Sequence, residues 1–97
     1  MTPAGGAPDA RGRIETILRR RFSPERLEIH DDSARHAGHA GARSGGGHFE
    51  VLIVAAEFEG LSLLDRHRLV NDALRDLIGG EIHALGLRTL APGEPQR

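Results

Sequence analysis

Six histidines and no cysteine set the chemistry open to this 97-residue chain. Without a thiolate there is no disulfide framework, no zinc ribbon, no thiol nucleophile and no iron–sulfur cluster held by the chain's own sulfur. Imidazole is the soft ligand that remains at neutral pH. His36, His39 and His48 lie in or beside one Gly-rich stretch, and His83 sits in an apolar run whose neighbours favour a half-buried, hydrogen-bonded ring. A closed zinc site takes about four protein ligands on a fixed scaffold. The His36-x-x-His39 pair has neither a helical scaffold nor thiolate partners. What these residues allow is one or two imidazoles completing a shell supplied mostly by another molecule. Histidine ligation of a [2Fe–2S] cluster belongs to that chemistry, and exchanging thiolate for imidazole raises the reduction potential.

Catalytic patterns are missing. There is no Gly-x-Ser-x-Gly elbow, no Walker A loop and no Gly-x-Gly-x-x-Gly between a strand and a helix, and Gly45-Gly46-Gly47 leads into a strand, where it cannot cradle phosphate. The chain is therefore expected not to be an enzyme. Arg66-His67-Arg68 at the start of a helix has two readings: a small cationic patch that touches phosphates, or a polar face neutralised by Asp65 and Asp72. Arg19-Arg20-Arg21 invites the same pair of readings, but three consecutive side chains spread around a helix and make a diffuse field. Thirteen cations, all Arg, against 14 anions give a formal charge of -1, which argues against a strongly basic nucleic-acid clamp. No apolar run approaches the roughly 18 residues of a membrane span and no signal-peptide core is visible, so a cytoplasmic chain is expected.

The elements that must position these residues follow from periodicity. Residues 1–10 and 92–97 mix Gly, Pro and Ala without periodic apolar positions and are expected to be loose, leaving 11–91 as one domain. Ile14, Ile17 or Leu18, and Phe22 recur at helical spacing and predict a helix ended by Ser23-Pro24. Arg26 to Asp31 alternates as a half-buried strand, and His48 to Ala56 is β-branched and almost continuously apolar, as a central strand is. Residues 32–47 between them, rich in Gly and Ser, predict a long loop. Ser62 and Asp65 form a capping-box-like start to a second helix, with Leu64, Val70, Leu74 and Leu77 or Ile78 on one face and Gly79-Gly80 at its end. Glu81 to Leu90 reads as a third strand. The order helix, strand, strand, helix, strand predicts an α+β layer, a three-stranded sheet covered on one face by two helices.

Within this order, Asp31-Asp32-Ser33, His48-Phe49-Glu50-Val51, the run Phe58-Glu59-Gly60-Leu61-Ser62-Leu63-Leu64-Asp65-Arg66-His67-Arg68-Leu69-Val70, and Ile82-His83-Ala84-Leu85 resemble the BolA family, over about Arg13 to Leu90. The resemblance implies an α-β-β-α-β layer with a mixed sheet, related to the class II KH domain, and a short helical turn before the second helix. It also implies a non-enzymatic partner of monothiol glutaredoxins. On that footing His83 and a histidine from the loop side, His36 or His48, are the metal ligands of a [2Fe–2S] cluster shared with glutaredoxin and glutathione and bound only in the complex. His39 is less well placed. The alternative the resemblance offers is a DNA-binding regulator of stress response and morphology acting through Arg66, His67 and Arg68. Alone, the chain is expected to be a monomer or a weak homodimer. A ligating imidazole must be neutral, so cluster assembly is expected to weaken below a pH of about 6.

Overall fold

A computed structural model describes residues 10–32 and 47–95. Helix α1, Ala10–Phe22, buries Ile14, Leu18 and Phe22, a stripe at i, i+4, i+8 that one helix face can present to a sheet. Ile17 is half-buried beside it. The helix stops where Ser23 takes a φ of +44°, the left-handed conformation that commonly closes a helix, and Pro24 blocks continuation.

Strands β1, Arg26–Asp31, and β2, Gly47–Val54, pair antiparallel, with Leu27 opposite Ile53 and Ile29 opposite Val51. Strand β3, Ile82–Leu90, pairs parallel with β2, giving the order β1-β2-β3. Leu27 and Ile29, Phe49, Val51 and Ile53, and Leu85 and Leu87 meet α1 and helix α2, Leu63–Ala73, across one continuous core. All three phenylalanines are in it. The α+β layer with a mixed sheet is as expected from the sequence.

Three boundaries differ from the sequence reading. Strand β2 ends at Val54: the Ala55 N–H closes the ladder on the Leu90 carbonyl at 3.0 Å, and Ala56–Phe58 form a single 3₁₀ turn, in the place where the resemblance implies one. Helix α2 starts as expected, with the Ser62 hydroxyl accepting the Asp65 N–H at 3.1 Å. It ends at Ala73, well short of Gly79. From there the chain winds in tighter turns, with the Leu77 N–H on the Leu74 carbonyl at 2.9 Å, and i, i+3 spacing keeps both leucines buried. Leu64, expected on the buried face, is exposed; six residues before Val70, it projects from the other side of the helix. The tail expected to be loose from Pro92 is tied down as far as Glu94, as described below.

Gly86 lies opposite Glu50 in the β2–β3 register, and a Cβ there would collide with the Glu50 carboxylate. That carboxylate is the end of a flexible, exposed side chain and can swing away. Gly in a strand interior costs roughly 0.5–1 kcal/mol relative to Ala. Gly86→Ala is therefore expected to leave stability unchanged or raise it by less than about 1 kcal/mol in urea unfolding; a loss of about 2 kcal/mol would show that Glu50 is fixed in place.

Candidate functional site

The start of β3 is anchored on its neighbour by the Gly47 N–H, which donates to the Glu81 carbonyl at 3.0 Å. One residue later the β2–β3 register slips: Gly47 lies opposite Ile82 but His48 opposite Ala84, so His83 is the extra residue of a bulge. Bulges re-aim side chains, and this one turns His83 out of the apolar run while Ile82 stays in the core. His83 is therefore exposed, not half-buried as its neighbours suggested. Its ring comes to rest beside that of His48, centroids 5.2 Å apart and planes tilted by 36°. His48 is half-buried and held from the far side by β1, where the Asp32 N–H donates to its carbonyl at 2.7 Å.

Two strands thus bring together two of the three predicted ligands. His36, the third, and His39 lie outside the described residues. His30, on the neighbouring strand, has its Nε2 3.5 Å from an Asp32 carboxylate oxygen. Among the described residues no three His, Asp or Glu side chains converge on a metal-sized space. The geometry is that of a donor pair, which fits a cluster only if another molecule supplies the remaining ligands.

The second predicted site divides differently. Arg66 points inward, its side chain only 11% exposed, and both guanidinium Nη atoms donate to the Glu94 carboxylate, at 2.6 and 2.9 Å. It also donates to the carbonyls of Leu61 at 3.0 Å and Thr89 at 3.2 Å. His67 is half-buried, and its Nε2 is shut off from solvent. Only Arg68 faces outward, 3.8 Å from Asp65. Of the triplet Arg66-His67-Arg68, then, Arg66 braces α2 against β3 and the tail, His67 is half-buried, and Arg68 is exposed.

Glu94 was legible in principle. Ala91-Pro92-Gly93-Glu94 carries Pro and Gly at the two central positions of a β-turn, Gly93 has a φ of +87°, and the Glu94 N–H reaches the Ala91 carbonyl at 3.1 Å. The Glu94 carboxylate accepts from Arg66 and from the Ala91 N–H, and these bonds hold its pKa down to about 2 from the usual 4.5. The unfolded chain binds this proton first as the pH falls, so the latch stabilises fully above about pH 5 and is lost toward pH 2. Glu94→Gln is expected to flatten that part of the urea midpoint's pH dependence while leaving the curve above pH 5 parallel to the parent's; an unchanged acid slope would place the titration elsewhere.

Two helices against one face of a three-stranded mixed sheet, with a histidine pair where β2 and β3 begin, define a small α+β domain. The family model described as BolA-like protein matches residues 18–94. BolA-like protein 1 of Homo sapiens is 43% identical over 81 residues, an alignment covering 84% of this chain and 57% of the human protein's length. The solved structure of BolA1 from Arabidopsis thaliana superposes with a TM-score of 0.80 at 37% identity, covering 92% of this chain and 98% of that one. The BolA domain of SufE1 from the same plant does so with a TM-score of 0.75 at 39% identity, covering 92% of this chain and all of that domain. The chain belongs to the BolA-like family.

Proposed function

We propose that this chain is a non-enzymatic adaptor that docks a monothiol glutaredoxin and lends imidazole ligands, from His83 and His48, to a [2Fe–2S] cluster whose sulfur ligands come from glutaredoxin and glutathione. The observation that carries this reading is the His48–His83 pair, 5.2 Å between centroids in a chain with no cysteine. Two donors at one end of a sheet make half a coordination shell, and a half shell has a use when a partner brings the other half. Occurrence of the same fold as a domain of a larger protein, SufE1, suits a module that works by attachment. Imidazole ligation would give the shared cluster a higher potential than thiolate alone. DNA binding has less to stand on, because Arg68 is the one side chain of its expected triplet turned to solvent.

The test mixes the full chain with a monothiol glutaredoxin, ferrous iron, sulfide and glutathione under anaerobic conditions. A one-to-one heterodimer with a visible circular dichroism spectrum unlike that of glutaredoxin alone is expected. Separate elution of the two chains, with the glutaredoxin spectrum unchanged, would overturn the reading.

A further inference from the structure

His83 reaches His48 because β3 opens on a bulge, and a bulge disrupts the ladder where it sits. Ahead of it, β2 meets β3 at the Gly47 N–H, which donates to the Glu81 carbonyl at 3.0 Å. The turn before β3 closes on itself, with the Ile82 N–H on the Leu77 carbonyl and the Gly79 N–H on the Ile82 carbonyl, both at 2.9 Å. These bonds shape the turn. Its attachment to the rest of the molecule also runs through side chains: Ile82, 1% exposed in the core, and Glu81, which forms an ion pair with Arg13 of α1.

The placement of Arg13 breaks a local rule. Arg11 and Arg13 both lie in the first turn of α1, which holds no acidic residue. A helix N-terminus is the positive end of its dipole, so cations are disfavoured there. Natural sequences break such rules chiefly where a functional demand overrides them. Both arginines leave the helix for the sheet end: Arg11 donates through Nε to the Ile29 carbonyl of β1 at 3.2 Å, and Arg13 through Nη1 to the Glu81 carboxylate. Glu15, the one acid of α1, is already shared by Arg11 at 3.7 Å and Arg19 at 2.9 Å. Arg13 instead pairs with a residue 68 positions away.

We infer that Arg13 and Glu81 are positioning residues for the histidine pair: their ion pair clasps the start of β3 to α1 and so fixes the bulge that sets the His83 ring beside His48. The inference rests on the reading of that pair as cluster ligands. Both residues act through the backbone. Glu81 lies two residues before His83, and its carbonyl holds Gly47, the residue before His48, so one clasp steadies both histidine-bearing strands. Imidazoles held in place before a partner arrives need no ordering at binding, and ordering side chains costs affinity. The side chains of the clasp are 40% and 37% exposed, so water screens it and it adds little to global stability. Its loss shows at the bulge and not in unfolding.

The experiment compares the full chain with Arg13→Gln, Glu81→Gln and the charge-swapped double variant, Arg13→Glu with Glu81→Arg. In metal-free, isotope-labelled protein, both single variants are expected to keep the parent's urea midpoint, to lose the ring-to-ring NOE between His48 and His83, and to exchange the Gly47 amide faster. The swapped pair is expected to restore the NOE and the slow exchange. Titrated into a monothiol glutaredoxin with iron, sulfide and glutathione, the single variants are expected to reach half-maximal visible circular dichroism at about tenfold higher concentration, the lower end of what losing a support of a metal ligand costs. The swapped pair should titrate like the parent. An unchanged NOE and Gly47 exchange in the single variants would overturn the inference. So would a swapped pair no better than either single variant, or parent-like cluster affinity once the NOE is lost. If the parent itself forms no shared cluster, the cluster reading falls, while the NOE and amide exchange of the metal-free chains still decide the clasp.

Discussion

Reconstituted with a monothiol glutaredoxin, iron, sulfide and glutathione, the His83→Ala chain is expected to lose the heterodimer's visible circular dichroism and to leave the spectrum of glutaredoxin alone. Outer-shell partners of metal ligands are worth about 10–100-fold in affinity, so removing a ligand itself should cost at least tenfold. His83 is exposed on a bulge, so Ala at this position should leave urea unfolding within about 0.5 kcal/mol of the parent, and the loss reads as chemistry and not as misfolding. His48→Ala should match it, because its ring is the neighbour at 5.2 Å. If His36→Ala abolishes the spectrum and His48→Ala does not, the loop-side ligand is His36. His83→Cys should restore ligation with a lower reduction potential, since thiolate replaces imidazole. Equal spectra and equal affinity for His83→Ala and the parent would end the ligand assignment.

The sequence made the order of elements plain because most elements carry one pattern: Ile14, Leu18 and Phe22 for α1, Leu27 and Ile29 for β1, and the run Phe49 to Val54, apolar except at Glu50, for the central strand. What it concealed depends on contacts between distant residues. His83 reads as half-buried from its apolar neighbours, and only the register slip against Gly47 and His48 turns it outward. A bulge is set by pairing, which no single run of residues records. Arg66 and Glu94 are 28 positions apart, and from either one alone the pair is invisible. The Arg-His-Arg run therefore looked like a surface charge when one of its arginines is an internal brace. The end of α2 is hidden for a local reason: Leu74 and Leu77 satisfy both the helical and the tighter i, i+3 period, so the pattern does not separate them.

Phe58 shows how a family motif can be structural, and its replacement carries the largest expected stability effect. It opens the Phe-Glu-Gly-Leu-Ser run, is 0% exposed, and stacks at a tilt against Phe22 of α1 with ring centroids 5.3 Å apart. Its carbonyl accepts the Leu61 N–H at 3.1 Å, closing the turn in which Gly60 takes a φ of +80°. The ring holds α1 through Phe22, and the backbone of the same residue closes the turn that leads into α2. Phe→Ala in a core costs about 3–5 kcal/mol, against the roughly 5–15 kcal/mol that holds a domain of this size. Phe58→Ala is expected to lower the urea midpoint by at least about a fifth, with Phe58→Leu recovering more than half of the loss because it refills most of the cavity. The histidine pair lies at the opposite end of β2, roughly 20 Å away at about 3.3 Å per residue. At a temperature where Phe58→Ala stays folded, it should therefore still form the glutaredoxin-shared cluster. A chain that keeps its stability but loses the cluster spectrum would instead make Phe58 part of the docking surface.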